Sequence, residues 1–404
     1  MATRKHGRIL VVGAGPVGLV TALGLAHEGV DVTVIEAEPA LTHDLRAGSF
    51  HPPTLQALEP LGITPRMLAA GIKVPQWQIR DRKEGVIVQW DLGLLKDETP
   101  YCFRLHLEQH KLTPMLFDRL RDFPNAQVRF STRFVKASQD GDGVIATVEG
   151  PDGPETIACD YLVGCDGGRS AVRKDLGVEF EGYTWPERFL VISSKFDLGP
   201  HGYTENAYIA DPTEWAAIFK MPHDGPPGLW RVLFPTDASV PEEAVLDLGF
   251  CRRLLDGLQP GAGQADIPYR STYRVHQRVC KDFRFGRVIL AGDAAHLNNP
   301  LGAFGLNSGI HDAANLYPKL AKVWKGEADE SLLDLYVRQR RTVTIEFIQA
   351  LSIRNKRMLE ERDPAVRKQR LDELRRTAAD PVQAKAFLMN SSMIASVRRA
   401  AEIE

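Results

Sequence analysis

The sequence predicts an α/β protein: a Rossmann-like dinucleotide-binding fold with an inserted antiparallel β-sheet domain and a helical C-terminal region. Three observations carry this. The chain opens on an apolar strand, a glycine triplet and a helix. Strand-like alternation returns in two separate blocks, 76–95 and 189–274. From Ser331 onward the apolar spacing is helical.

The first sixty residues set the frame. Ile9-Leu10-Val11-Val12 is a short buried strand that stops at Gly13. Gly13-Ala14-Gly15-Pro16-Val17-Gly18 follows as a GxGxxG. A helix of small and apolar residues runs to His27, and Gly29 stops it. Asp31 to Ile35 is the second strand, with Glu36 at its end. Gly13 permits the tight turn, Gly15 lets a pyrophosphate approach the backbone, and Gly18 lets helix and strand pack. Pro16 and Val17 open the helix, whose N-terminus offers free N–H groups and partial positive charge to the phosphates. Glu36 stands 21 positions after Gly15, near the roughly 20 expected for an acid that holds ribose hydroxyls. An acid there disfavours an adenosine 2′-phosphate. The fingerprint does not choose among dinucleotides, which share the adenosine pyrophosphate.

Two later segments repeat the pattern of buried strand, acidic turn and helix. Residues 160–173 read DYLVGCDGGRSAVR, with Asp166-Gly167 at the turn. Residues 286–316 read GRVILAGDAAHLNNPLGAFGLNSGIHDAANL, with Gly292-Asp293 at the turn and a helix from about Leu306.

With these three motifs in order, the chain resembles the FAD-dependent aromatic hydroxylases of the p-hydroxybenzoate hydroxylase type, which are single-component flavoprotein monooxygenases. The resemblance implies a Rossmann-like FAD-binding fold with an inserted antiparallel β-sheet substrate domain. It puts the ribityl chain of FAD on Asp293, and the backbone of Gly302, Gly305, Leu306 and Asn307 against the flavin pyrimidine at a helix N-terminus, where positive potential favours a reduced flavin. It puts Asp166 and Gly167 near the pyrophosphate, Gln109 on the ribityl chain and Val135 near the adenine. Arg46, within Arg46-Ala47-Gly48, is expected to touch FAD and assist NAD(P)H. Arg46 and Pro300 form the expected catalytic pair. Where many relatives carry two glycines this chain has Gly302-Ala303, a change the same branch of the family tolerates.

The rest of the chain divides around this frame. Residues 76–95 alternate polar and apolar, with a turn near Lys83-Glu84-Gly85. Phe189–Phe196, Ala207–Ile209, Trp215–Lys220 and Leu229–Phe234 read as strands, broken at Asp211-Pro212 and at 222–228. The expected partition is an FAD-binding domain at 1–75, 104–180 and 275–330, a substrate-binding β-sheet domain at 76–103 and 181–274, and C-terminal helices at 331–404. Arg354 to Arg376 interleaves both signs of charge, as a solvated or homodimer-facing helix does.

Composition excludes other classes. The 404 residues carry a formal net charge of −2, with 44% hydrophobic and 25% charged residues. That balance gives no footprint for nucleic acid. No run approaches the ~18 apolar residues of a membrane span, and the N-terminal apolar run is too short for a signal peptide, so a cytoplasmic protein is expected. Five scattered cysteines without a CxxC, and no His/Cys/carboxylate set at ligand spacing, indicate neither a disulfide framework nor a metal site.

The implied reaction is hydroxylation of a small aromatic substrate with NADH or NADPH and O2, through a flavin C4a-hydroperoxide. The alternatives are an FAD-dependent reductase or halogenase, and a non-catalytic flavin redox sensor. The only stretch near a halogenase WxWxIP motif, Trp77-Gln78-Ile79, does not match it. Substrate candidates are Trp230 and Arg231, on a strand before Pro235, with Tyr208, Tyr273 and His201. Arg231 is either a clamp for a carboxylate or a strand residue facing solvent or an acid. His296 is read as a structural loop residue, and His51 is given no role.

Overall fold

The computed structural model describes residues 7–42 and 47–404. Its first sheet has six strands, in the order 284–285, 288–290, 161–164, 9–12, 32–35, 126–129. All neighbours run parallel except the edge pair Arg284–Phe285 and Val288–Leu290. Ile9–Val12 is central and buried throughout, which is why it is a continuous apolar run and not an alternating one. The helix Pro16–His27 packs against the long helix Phe304–Trp324 at glycine contacts. A Cβ on Gly24 would lie 2.4 Å from the Tyr317 ring, and one on Gly309 2.7 Å from Val17.

Two strands follow the helix Gln109–Leu120. Ala126–Arg129 comes first and joins the parallel sheet beside Val32–Ile35. Val135 falls on the next strand, Arg133–Gln139, part of a separate antiparallel sheet with Val144–Gly150 and Gly153–Cys159.

The inserted sheet has eight strands, in the order 296–297, 269–280, 180–194, 229–237, 216–221, 206–210, 76–81, 85–91. It is antiparallel except at one seam, where Asn206–Ala210 runs parallel to Gln76–Asp81. That seam joins the two inserted blocks into one sheet. The strand Tyr269–Cys280 continues without a break past 274, so the inserted sheet and the nucleotide-binding part share a strand.

Alternation divides the sheet into two apolar faces. Leu190, Ile192, Ile218, Trp230, Val232 and Phe234 face a helix, Leu248–Leu258, that strand-like reading of 189–274 overlooked. Phe189, Val191, Tyr208, Ala217, Phe219 and Leu233 face inward. The C-terminal helices complete this inner side. The charged stretch 354–376 is not one solvated helix: Ala350–Leu359 ends, and Asp363 caps a new helix, Pro364–Ala379, by accepting from the N–H groups of Ala365 and Val366. Leu371, Leu374 and Leu388 are buried with Trp77 and Trp90, and Phe387 stacks on Trp90 at 4.2 Å and 14°. Among the described residues, no helix is long and apolar enough to cross a membrane.

Candidate functional site

The glycine fingerprint has the expected geometry. Gly13 has φ +105°, and a Cβ there would lie 2.6 Å from the Cys165 carbonyl oxygen. The same contact sets Asp166-Gly167 against the first glycine. A Cβ on Gly18 would lie 2.0 Å from the Gly13 carbonyl oxygen. Gly15 is different: its φ is ordinary and a Cβ would meet nothing within 4 Å. The fold therefore does not need glycine at position 15. The space above this backbone is open. No side chain among the described residues caps the helix that starts at Pro16, so its first N–H groups suit an anion. Glu36 accepts from the N–H groups of Ala14 at 2.8 Å and Glu38 at 3.0 Å, which places its carboxylate at the fingerprint loop.

The second motif is turned inward. The Asp166 carboxylate accepts from the N–H groups of Ala171 at 2.6 Å and Val172 at 3.1 Å, capping the short helix Ala171–Asp175. Burial pushes its carboxyl up, against these hydrogen bonds. Gly167 supplies positive φ, +77°. Arg173 ties this motif to the third one by donating to the carbonyls of Gly168 at 2.8 Å and Ala294 at 3.0 Å.

In the third motif Asp293 is exposed at the turn. Gly292, at φ +62°, sits against Val17 of the fingerprint helix and donates its N–H to Asp312 at 3.0 Å. Asp312 also takes His296 Nε2 at 2.8 Å and Arg340 Nε at 2.7 Å. Burial raises the Asp312 carboxyl, but His296 and Arg340 outweigh it and hold the group down to about 2. His296 is thus part of a buried hydrogen-bonded cluster around Asp312, beneath the turn.

The loop after it reverses at Gly302, φ +114°, and Ala303, φ +58°, and the helix begins at Phe304 with no side-chain cap among the described residues. Left-handed backbone at a non-glycine such as Ala303 costs about 1–2 kcal/mol. The Asn307 side chain is fully engaged. Its oxygen accepts from the His51 N–H at 2.9 Å and the Thr54 hydroxyl at 2.6 Å, and its nitrogen donates to the carbonyls of Ser49 and Ala303. Main chain, not this amide, is what Gly302–Asn307 offers a ring. Gly305 and Leu306 are half-buried there, and the Pro300 carbonyl closes the turn onto Ala303. Gln109 starts its helix half-buried, its N–H on the Ala47 carbonyl at 3.1 Å. Val135 is 49% exposed. Arg46 lies outside the described residues.

Opposite Gly302 stands the inner face of the eight-stranded sheet. The Tyr208 hydroxyl oxygen accepts the Gly302 N–H at 2.9 Å, and the Arg104 guanidinium lies beside it. Arg104 is 1% exposed, and among the described residues its partners are neutral: the Asn206 amide oxygen at 3.4 Å, the Ser391 carbonyl at 3.3 Å, Tyr208, and the Trp77 ring at 4.7 Å. His51 Nε2 donates to the Gly302 carbonyl, 2.8 Å away, and its ring stacks on Phe304. Burial, then the charges of Arg104 and Arg231, push His106 down to about 4, although its bond to the Lys220 carbonyl opposes this. Burial, then Arg104, push His51 well below its ordinary range. Burial raises the Tyr208 hydroxyl, so it keeps its proton.

Of the expected substrate residues, Tyr208 and Arg231 are buried on this face, and Tyr273 lies at its edge, 6.0 Å from Phe189. Trp230 and His201 are not brought here. Trp230 points to the opposite face, where its N–H reaches Asp197 at 3.0 Å, and His201 is exposed against Phe196. Sequence reasoning missed Arg104, His106 and His51. The strand Arg104–His106 is three residues long, too short for periodicity, and two basic side chains around Leu105 were its only signal.

Residues 7–350 match the family described as FAD binding domain. The chain is 37% identical over 362 residues to para-nitrophenol 4-monooxygenase of Pseudomonas sp. (strain WBC-3), covering 89% of each chain. It is 35% identical over 359 residues to 6-hydroxy-3-succinoylpyridine 3-monooxygenase of Pseudomonas putida (strain DSM 28022 / S16), covering 88% of this chain and 90% of that one. The crystal structure of p-nitrophenol 4-monooxygenase from Pseudomonas putida DLL-E4 superposes with a TM-score of 0.91 at 33% identity, over 98% of each chain.

Proposed function

The chain belongs to the FAD-binding-domain family of p-hydroxybenzoate hydroxylase-type aromatic monooxygenases, and we propose that it hydroxylates single-ring phenols with NAD(P)H and O2. FAD is its cofactor. The residues present fit it: open space above Gly15, uncapped helix N-termini at Pro16 and Phe304, and an exposed Asp293 between them. In this reading Glu36 holds the ribose, Asp293 and Gln109 the ribityl chain, and the 302–307 backbone the flavin pyrimidine. Asp166 acts through backbone: it fixes the turn that brings Gly167 beside the pyrophosphate. Val135, exposed and apolar, flanks the adenine. Bound FAD, once reduced, supplies the activated oxygen for transfer to an aromatic ring.

One observation carries the substrate class. The Tyr208 oxygen already accepts the Gly302 N–H, and the Arg104 guanidinium, which cannot accept a hydrogen bond, lies beside it. Its own proton is therefore free to be donated, and a phenolic oxygen on the substrate is the acceptor that suits it. The nearby Arg104 charge, in a buried site, favours that oxygen as phenolate. A phenolate is the more electron-rich ring, so the same two residues bind the substrate and prepare it for attack. Inward-facing Trp77, Phe189 and Phe219 enclose an aromatic ring and exclude water. The two relatives are named for para-nitrophenol and a hydroxylated pyridine, which both carry a ring hydroxyl.

The test follows NADH and NADPH oxidation by the yellow holoenzyme with a panel of phenols, and weighs the products. Expected are phenol-stimulated oxidation and a product with a new ring hydroxyl. In Tyr208→Phe, kcat/KM falls by more than tenfold with FAD retained. Oxidation that no phenol stimulates, with no hydroxylated product, overturns the reading.

A further inference from the structure

The loop that leads into the flavin-facing backbone is held by side-chain amides. Gln349 Nε2 donates to the Leu297 carbonyl at 2.9 Å, and the Asn299 N–H donates to Gln277 Oε1 at 3.1 Å. The Leu301 N–H donates to Asn299 Oδ1 at 3.1 Å, and Asn355 Nδ2 donates to the Leu301 carbonyl at 3.2 Å. Gln277, 3% exposed on the strand Tyr269–Cys280, is the hub. Its oxygen also accepts from Asn299 Nδ2 and Trp185 Nε1, both at 3.2 Å. Its nitrogen donates to Gln349 Oε1 and to Ser352 Oγ at 3.0 Å. One amide thus joins the inserted sheet, the loop and the C-terminal helices, with its donors and lone pairs all engaged.

Gln349 ends a π-helical turn, Thr344–Gln349, and Ser352 and Asn355 follow it at three-residue spacing. A helix side that packs for stability alone is apolar. This one is polar where it meets the loop, and π-turns recur at functional sites. Apolar contacts carry no direction, whereas hydrogen bonds fix both distance and angle. We propose that Gln277 is a positioning residue for oxygen transfer: through Asn299 it sets where residues 297–302 stand against bound FAD. The proposal rests on the hydroxylase reading, in which each NAD(P)H and O2 has two possible ends. Either one oxygen atom is inserted into a ring C–H bond and the other leaves as water, or both leave as hydrogen peroxide. Each end consumes the same hydride and one proton. Transfer to the ring needs alignment, and a displacement of about 1 Å costs on the order of 100-fold in such a step. Release of peroxide needs none. A loosened loop therefore diverts O2 from the ring to peroxide.

The test uses a phenol that the wild-type holoenzyme hydroxylates, and counts product and hydrogen peroxide per NAD(P)H oxidised. FAD affinity of the FAD-free protein, titrated by flavin fluorescence, is a readout independent of turnover. Gln277→Met keeps the bulk of the side chain and removes its hydrogen bonds. It is expected to cut product per NAD(P)H by about twofold or more, with peroxide rising to match, and to weaken FAD binding about threefold or more. Gln277→Glu keeps the acceptor for Asn299 and is expected to retain more than roughly half of the wild-type product ratio. Trp185→Phe removes a Gln277 partner outside the loop, and is expected to leave the ratio unchanged even where Tm falls. Should Gln277→Met not fold, Asn355→Leu, which releases only the Leu301 carbonyl, is expected to raise peroxide in the same direction. An unchanged ratio in Gln277→Met, or in Asn355→Leu where it stands in, overturns the proposal and leaves the hydroxylase reading intact. So does an equal fall in Trp185→Phe, which would make the effect one of general packing. A wild-type protein that hydroxylates no phenol overturns that reading, and the proposal with it.

Discussion

Asp312 and Arg340 form a buried ion pair, Oδ1 to Nε 2.7 Å, directly beneath the turn that presents Asp293. The other Asp312 oxygen receives the Gly292 N–H and His296. Asp312→Ala leaves Arg340 buried without its carboxylate, and the loss in unfolding free energy is expected to be about 3–5 kcal/mol. Denaturant titration measures it, and a loss under about 1 kcal/mol would contradict the account. The pH sign follows from the carboxyl lying near 2 when folded, against 3.8 ordinarily. The stabilisation is complete above about pH 4 and is lost as pH falls toward 2.

Gly15 and Gly18 separate cofactor binding from folding. Gly18→Ala drives a methyl into the Gly13 carbonyl and is expected to lower Tm with or without FAD. Gly15→Ala meets no protein atom. It is expected to leave the Tm of the FAD-free protein within about 2 °C, or roughly 1 kcal/mol or less, while weakening FAD binding at least tenfold. Equal FAD affinity in Gly15→Ala and wild type would show that the pyrophosphate does not lie on this backbone.

Asp293→Ala removes an exposed carboxylate at the turn and is expected to leave the fold intact. FAD retention through gel filtration, read from the ratio of visible to ultraviolet absorbance, should drop sharply. Unchanged occupancy would refute the assignment of the ribityl chain to this residue.

His106 gives a second pH dependence of distinct range. Its folded pKa is held to about 4, from 6.5. As pH falls below about 6.5, the unfolded chain binds this proton before the folded one does. Stability therefore declines between about pH 6.5 and 4, by up to about 1.4 kcal/mol per pH unit for this one group. His106→Gln is expected to flatten that part of the stability–pH curve, and an unchanged slope would mean that His106 is not buried neutral.

The cofactor half of the site was legible because each motif is local. Gly18 is required by the Gly13 carbonyl within one strand–turn–helix, and Gly13 and Gly292 hold positive φ at their turns, and such requirements leave glycines at fixed spacing. Of the residues expected to meet substrate, Tyr208 and Arg231 are buried on the inner face of the eight-stranded sheet and Tyr273 lies at its edge. The members of the substrate half come from strands 76–81, 104–106 and 206–210, from the segment at His51 and from the C-terminal helices, and no local pattern links positions brought together by a parallel seam. The stretch 354–376 misled for a related reason. Its charges cover one side of Pro364–Ala379, while only Leu371 and Leu374 of that helix are buried, too few to outweigh the charge in a linear reading.

The most direct test of the central claim is mass analysis of the product formed from a phenol under 18O2 in ordinary water. The account predicts a ring hydroxyl carrying one 18O atom per phenol consumed, dependent on FAD and on NADH or NADPH, and strongly reduced in Tyr208→Phe. A product without 18O, or NAD(P)H oxidised at the same rate with and without the phenol, would contradict it.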